Sequence, residues 1–456
     1  MKTRRRIALF SIVVLLLAAG LAAQTPAKDL LKKAKEAFDD EDRDLARELY
    51  LKVIELDPEE SDAYYRLGVL ADDPEEAVAW LKQYAELEPK DAWGWLALGD
   101  KLLKIGRTIE AREAYGTAAR LAPEAEDIRD GLGRGRSASA IQLVPIGGYA
   151  GDSDKIKAWT YGLEGSAPLR GGFRLGARFR RTDLRGAFSR TSMDDYVVTV
   201  AGRPRAAMTL SAMAGLAEYG MVKLPNVPPA GQAALNRTGN NGWTTPQGEF
   251  RFRWRPAGNG PSADVRLQRL PYATSPQLAF NRAVADDARL IAELPVGPLK
   301  VRGQGRISLI ETRAEANNRR LETAAILAYP FGWQGEISVQ YHVLGFARAS
   351  TAGYFAPRSV ETVEAGTYWE LGGEGDWTAE IDLGAGIQRL ARQGESSGPW
   401  NTALRGWGYF AYDLTPTLQF RIEAEAYSAP FAPVGAVTGE NWRYLSLSAG
   451  LVARLY

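Results

Sequence analysis

From Ser137 to Tyr456 the chain alternates apolar and polar residues with a period of two, and few folds accept that pattern. Phe173, Leu175, Ala177 and Phe179 share one face, with Arg174, Gly176, Arg178 and Arg180 on the other. The same split places Trp377, Ala379, Ile381, Leu383 and Ala385 against Thr378, Glu380, Asp382, Gly384 and Gly386. It returns in Leu418, Phe420, Ile422, Ala424 and Ala426 against Gln419, Arg421, Glu423, Glu425 and Tyr427. Such alternation puts the two sets on opposite sides of a sheet. A soluble sheet alternates too, so the connections decide. About sixteen segments of roughly ten residues follow one another, the length a tilted strand needs to cross a bilayer. Every second connection is short and rich in Gly and Pro: Ala167 to Gly172, Gly202 to Arg205, Pro256 to Pro261, Pro295 to Pro298, Pro330 to Gly332, Gly372 to Asp376 and Asp413 to Thr417. The intervening ones are longer and polar: Asp183 to Asp195, Tyr219 to Thr245, Pro271 to Asp286, Ala347 to Ser359, Arg392 to Pro399 and Ser428 to Glu440. Short turns at one end and long loops at the other predict a closed antiparallel transmembrane β-barrel with both ends of the barrel in the periplasm.

Composition agrees. Among 456 residues, 47 Gly, 12 Trp and 19 Tyr suit tight turns and interfacial aromatic girdles. A mean hydropathy of −0.25 conceals the membrane segment, because barrel strands are only half apolar. Cysteine is absent, which excludes disulfides, thiolate-bound metals and a cysteine-linked lipid anchor. One histidine, His342, excludes a His-rich metal site, and 56 basic against 55 acidic residues give no reason to expect a nucleic acid. No cofactor or metal is expected.

Residues 1–23 predict an export signal, with Lys2, Arg4, Arg5 and Arg6 before an apolar run from Ile7 to Leu17 and small residues Gly20, Ala22 and Ala23 after it. Residues 24–132 predict a helical repeat domain. Three matched tails recur: Leu45, Ala46, Tyr50, Val53 and Pro58; Ala77, Leu81, Tyr84 and Pro89; Ala111, Tyr115, Ala118 and Pro123. Heads precede them: Tyr64, Leu67 and Gly68, then Trp95, Leu98 and Gly99, with Leu30, Ala34 and Phe38 as a degenerate first. This resembles tetratricopeptide repeats, about three of them, the second short near Asp72, Asp73 and Pro74, and capped by Glu124 to Leu132. Residues 133–139 read as a Gly/Arg/Ser linker, and 140–456 as the barrel. The closing strand, Trp442 to Tyr456, puts Leu445, Leu447, Ala449, Leu451, Ala453 and Leu455 on one face.

No serine lies in a nucleophile motif, and His342 falls on a polar strand face with Gln334, Glu336, Ser338 and Gln340, so no catalytic site is expected. The lumen should carry Arg174, Arg178, Arg180, Arg251, Arg253, Arg255, Arg266, Arg302 and Arg306 from the first ten strands. Glu364, Glu370, Glu380, Asp382, Glu423 and Glu425 come from later ones, so basic and acidic walls should face each other across the bore. Tyr368, Trp407, Tyr409, Tyr427 and Tyr444 share the polar faces, where rings among charged groups suit sugar CH faces and hydroxyls, or a girdle or packing role.

Repeats followed by about sixteen strands resemble the outer-membrane export subunit of cellulose synthase complexes, the poly-N-acetylglucosamine exporter and YaiO-like barrels. Locally, Gly353-Tyr354-Phe355-Ala356-Pro357-Arg358 is similar to a Gly-Tyr-Tyr/Phe-Ser-Pro-Gln stretch opening a late strand there, with Ala356 and Arg358 departing from it. The resemblance implies an outer-membrane conduit for an exopolysaccharide, with periplasmic repeats that bind a protein partner or the emerging polymer. The expected surroundings are outer-membrane lipid and the barrel assembly machinery. A solute porin or structural protein is the second reading, and a lipid-acting hydrolase the third.

Overall fold

The computed structural model describes residues 26–224, 229–256, 260–332, 334–373, 375–428 and 443–456, so the expected export signal and Trp442 lie outside them. The chain divides into two compact units, with the boundary after Ser139.

The first unit is a stack of antiparallel helix pairs: α1 (residues 26–39) with α2 (Arg43–Leu56), α3 (Ser61–Leu70) with α4 (Pro74–Leu87), and α5 (Ala92–Lys104) with α6 (Thr108–Leu121). Each pair buries the residues at which the sequence repeats, including Ala46, Tyr50 and Val53 in the first, Leu67 and Leu81 in the second, and Leu98 and Tyr115 in the third. Glycine in each later head lets the helices meet. A Cβ on Gly68 would lie 2.6 Å from Leu81 Cγ, and one on Gly99 2.6 Å from Tyr115 Cε1. The three-residue deficit of the second repeat falls at the end of α3. There Asp73 caps α4, its side chain accepting from Glu75 N, with Pro74 in the first turn.

Residues 133–139 correct the expectation. They are not a linker: α7 runs Glu126–Ala138 and buries Ile128, Gly131 and Gly135. Composition misled here because both glycines serve packing. A Cβ on Gly131 or Gly135 would lie 2.9 or 2.6 Å from the Tyr115 ring, so the helix can approach only without one. Tyr115 is thus covered on both sides, and its hydroxyl donates to Asp100 Oδ1 at 2.6 Å.

The second unit is a closed barrel of sixteen antiparallel strands, each paired with its sequence neighbours, with β1 (Ile141–Asp152) closing on β16 (Tyr444–Leu455). Between them lie β2 (Lys157–Leu169), β3 (Phe173–Arg185), β4 (Arg190–Arg205), β5 (Met208–Tyr219), β6 (Trp243–Trp254), β7 (Ser262–Pro271), β8 (Val284–Val296), β9 (Leu299–Glu311), β10 (Asn318–Phe331), β11 (Gly335–Phe346), β12 (Ser359–Gly372), β13 (Trp377–Ala391), β14 (Asn401–Thr415) and β15 (Leu418–Tyr427). Every backbone group in such a ring has a ladder partner, which a bilayer demands. Outward-facing Leu163, Leu216, Leu267, Leu290, Leu327, Leu383, Leu404 and Leu447 are exposed, forming an apolar band round the exterior. Exposed Trp254, Tyr329, Trp369, Trp377 and Tyr412 edge the band at the short-turn end, with Trp159, Tyr161, Tyr196 and Tyr341 nearer the other. This is the exterior of an outer-membrane barrel. Among the described residues no helix is long and apolar enough to cross a membrane.

Among the described residues the two-stroke rhythm holds with one correction, and the expected long loop from Ser428 to Glu440 lies, beyond Ser428, outside them. Asp183 to Asp195 is mostly strand: β3 reaches Arg185 and β4 starts at Arg190. Cross-strand pairing such as Arg181 Nη1 to Asp194 Oδ2, 3.3 Å, keeps this polar hairpin extended.

Two outcomes follow from this packing. In a fragment of residues 26–139, Gly99→Ala should lower stability by about 1–3 kcal/mol by overpacking Tyr115. Gly133→Ala, on the exposed face of α7 with nothing within 4 Å of the new Cβ, should raise it by about 0.5–1 kcal/mol. Urea melts followed by circular dichroism measure both. In the barrel, Leu383→Arg on the lipid face should cost about 2–4 kcal/mol near the bilayer midplane and reduce the heat-modifiable, folded band on gels.

Candidate functional site

Cross-strand register puts all the candidate lumen residues that lie within strands on one face. Arg251 sits opposite Arg266, Tyr368 opposite Asp382, Asp382 opposite Trp407, Glu380 opposite Tyr409, and Tyr409 opposite Glu423. That face encloses a cavity of about 1490 Å³. Its lining includes Gly260, Gly297, Pro298 and Gly332 from the short turns, so it opens at that end, and it reaches Arg320, His342 and Thr362. Of the candidates, Arg255, Arg266, Arg302, Arg306, Glu364, Tyr368, Glu370, Asp382, Glu425 and Tyr427 line it. Arg255 does so from beyond the last residue of β6. Arg174, Arg178, Arg180, Arg251, Arg253, Glu380, Trp407, Tyr409 and Glu423 do not border this cavity.

Separate basic and acidic walls are not what the lumen contains. Most arginines are neutralised by a carboxylate one or two strands away. Asp195, 1% exposed, holds both Arg178 and Arg180 at 3.0 Å. Asp264 holds Arg251 at 2.5 Å and Arg253 at 3.2 Å. Arg302 meets Glu293 at 2.7 Å and Glu336 at 3.3 Å, while Arg306 meets Asp287 at 2.7 Å. The sequence reading missed the partnership of these five acids because a pattern along one strand does not show which residue of a neighbouring strand stands opposite. Conversely, the acidic side has its own cation, Arg405, bridging Asp382 at 2.6 Å and Glu364 at 2.9 Å. Gly384 makes room for this cluster, since a Cβ there would lie 2.2 Å from Glu364 Oε1.

What remains of the acidic wall is an arc of carboxylates with aromatic partners. Glu370, Glu380, Glu423 and Glu425 make no ion pair among the described residues. Tyr368 donates its hydroxyl to Glu380 Oε2 at 3.1 Å, Trp407 Nε1 donates to Glu423 Oε1 at 2.7 Å, and Tyr427 donates to Glu425. These bonds fix the rings and leave acceptor capacity on the acids. His342 Nε2 lies 3.1 Å from Glu322 Oε1, and Arg320 pairs with the same acid, so the histidine belongs to a charge cluster.

At the long-loop end two loops fold inward. The β5–β6 loop contains α8 (Pro229–Arg237), and the β7–β8 loop carries α9 (Pro276–Phe280), whose Leu278 and Ala279 are buried and face inward. The β11–β12 loop brings in Ala352, Tyr354 and Ala356. They pack on inward-facing Leu184, Tyr219, Ile310, Leu344 and Val360, giving an apolar cluster bordered by Ala158 on β2 and Leu390 on β13. Asn281 Nδ2 ties the loops together by donating to Ala352 O at 2.6 Å. Burial by itself raises the pKa of Glu315, in the β9–β10 loop, but its carboxylate accepts from Ser350 Oγ, Thr351 N and Tyr354 Oη, and these bonds together hold it below the usual range. Gly353 has φ +106°, and a Cβ there would lie 2.5 Å from Gln277 Cδ. The stretch Gly353 to Arg358 therefore belongs to this inward loop and precedes β12, where the sequence suggested the opening of a strand.

No family model matches the chain, and no curated protein matches it. Among solved structures it is similar to a bacterial polysaccharide outer membrane secretin, 11% identical over 70% of this chain and 99% of that one, with a TM-score of 0.48. It is similar to the CymD monoaromatic hydrocarbon channel, 11% identical over 72% of this chain and 91% of that one, with a TM-score of 0.38. The helical part is similar to the TPR domain of Arabidopsis OM64, 16% identical over 25% of this chain and 97% of that domain, with a TM-score of 0.24.

The two kinds of lumen charge should respond differently to mutation. Arg405→Ala strands Glu364, 5% exposed, and should destabilise the barrel by about 1–3 kcal/mol. Arg421→Ala removes an arginine without an ion pair among the described residues and should change stability by less than about 0.5 kcal/mol. Urea titration of the heat-modifiable band compares them.

Proposed function

We propose that this protein is an outer-membrane conduit for export of an exopolysaccharide, entered from the periplasm through the short-turn end. The observation supporting it is the deep cavity opening at that end, bordered by hydrogen-bonding side chains and, on one side, by rings held on carboxylates. Tyr368 and Tyr427 line it directly, and Trp407 and Tyr409 continue the same face. A hydroxyl-rich chain finds acceptors on the acids and flat surfaces for its CH faces there. The helical repeats dock a periplasmic protein partner or guide the polymer, and the driving force comes from synthesis elsewhere. No catalytic step is assigned to the chain. A general solute porin suits the geometry less well, because inward-folded loops pack an apolar cluster into the long-loop end of the bore. In a conduit, those loops are the part that must move for a chain to pass.

Deleting residues 275–281, which contain α9, should raise single-channel conductance in planar bilayers. Trp407→Ala should instead leave conductance near the parent's and weaken block by oligosaccharides added at the short-turn side. On whole cells, a cysteine at Asn236 should react with an impermeant maleimide and one at Ala207 should not. If no oligosaccharide blocks the parent and deletion of the gene leaves every surface polymer intact, the porin or structural reading replaces this one.

A further inference from the structure

One feature of the cavity is left over when the lumen charges are paired. Arg266 on β7, Arg289 on β8 and Arg306 on β9 are direct cross-strand partners: Arg266 stands opposite Arg289, and Arg289 opposite Arg306. Neighbouring strands lie about 4.8 Å apart, so three guanidinium groups form a row along the wall, and all three line the cavity. Like charges placed directly opposite repel and destabilise a sheet. Folding alone gives no reason for such a row.

The carboxylates nearby serve its ends and not its middle. Arg306 has Asp287 at 2.7 Å and Glu322 at 3.9 Å, and Arg266 has Glu249 only at 3.8 Å. Asp264 is occupied by Arg251 and Arg253, and Glu322 by Arg320 and His342. Arg289 has no carboxylate partner among the described residues. Its Nη2 donates to the neutral Gln304 Oε1 at 2.7 Å. Its Nε and that of Arg266 are buried and without a hydrogen-bond partner among the described residues. The middle of the row is therefore a cation without a carboxylate partner, next to a second one held loosely, and both line a space that admits a ligand. Guanidinium is the group suited to this, since it stays charged and presents a planar fork to an oxyanion.

We infer that the Arg266–Arg289–Arg306 row binds an oxyanion, and that the solute entering the cavity is an acidic saccharide carrying carboxylate groups on its rings. This rests on the conduit reading for the saccharide and on the row itself for the charge. The arginine row and the carboxylate–aromatic arc then divide the work: the row holds the acidic substituents, and the arc takes hydroxyls and CH faces.

The test uses the full-length protein in detergent, with titration calorimetry against a galacturonic acid trimer, neutral maltotriose and sodium sulfate. The acidic trimer should bind more tightly than maltotriose, with an affinity that falls as salt rises. Arg289→Gln should weaken the acidic trimer at least about tenfold, the loss expected for one charge-assisted pair, and leave maltotriose unchanged. Arg289→Lys should recover only part of the loss, because it restores charge and not the fork. The heat-modifiable gel shift shows that each variant is folded. Equal binding of both trimers, or an acidic trimer indifferent to Arg289→Gln, overturns the anion site while leaving the conduit reading standing. Sulfate binding that Arg289→Gln abolishes, with neither trimer bound, keeps the anion site and removes the saccharide. Binding of none of the three overturns both.

Discussion

The pairing of β1 with β16 is the contact on which the second unit depends. Without it two strands would present unsatisfied backbone groups to hydrocarbon, at several kcal/mol for each group. With it the ring has no edge, and sixteen strands enclose a bore wide enough to hold side chains and solvent together. Everything functional in the barrel follows from that closure. It turns the period-two alternation into an outside and an inside, and it brings strands far apart in sequence round a single space.

An enclosed polar space creates an electrostatic problem that the structure solves locally. Guanidinium and carboxylate groups sit on adjacent strands, as with Asp195 between Arg178 and Arg180 or Arg405 between Glu364 and Asp382. Short-range pairing keeps the wall stable without a long-range field across the bore. The exceptions are therefore informative, because neither the arginine row on β7 to β9 nor the carboxylate arc on β12 to β15 is explained by folding. Wall positions whose charges are not satisfied by their neighbours are available to a solute.

The helical unit works on a different scale. Its contacts lie within a repeat and between successive repeats, and small residues set how closely helices approach. Gly99, Gly131 and Gly135 all face Tyr115, so one buried ring joins the last pair to the capping helix. Glycine, which in isolation suggests a flexible linker, is here a requirement of close packing.

Much of this was legible in the chain itself. Strand faces, an antiparallel barrel of sixteen strands, the alternation of short turns and long loops, and three helical repeats are all carried by local periodicity. Periods of two and of about thirty-four survive in a one-dimensional string because the contacts they encode are between near neighbours. Local pattern could say that Arg251 or Glu425 faces the lumen, and the register agrees. It could not say that Asp264 neutralises Arg251, that Arg289 stands between two other arginines, or that Arg405 belongs with the acids. Those facts depend on which residue of one strand lies opposite which residue of the next, and a one-residue slip changes every partner. The inward loops were hidden for a related reason: Leu278 and Tyr354 lie in connections without periodicity, and they are buried only because closure brings β3, β5 and β8 to β12 round the same bore. The sequence determined what kind of wall the barrel has, and only tertiary structure decided where that wall carries unspent charge.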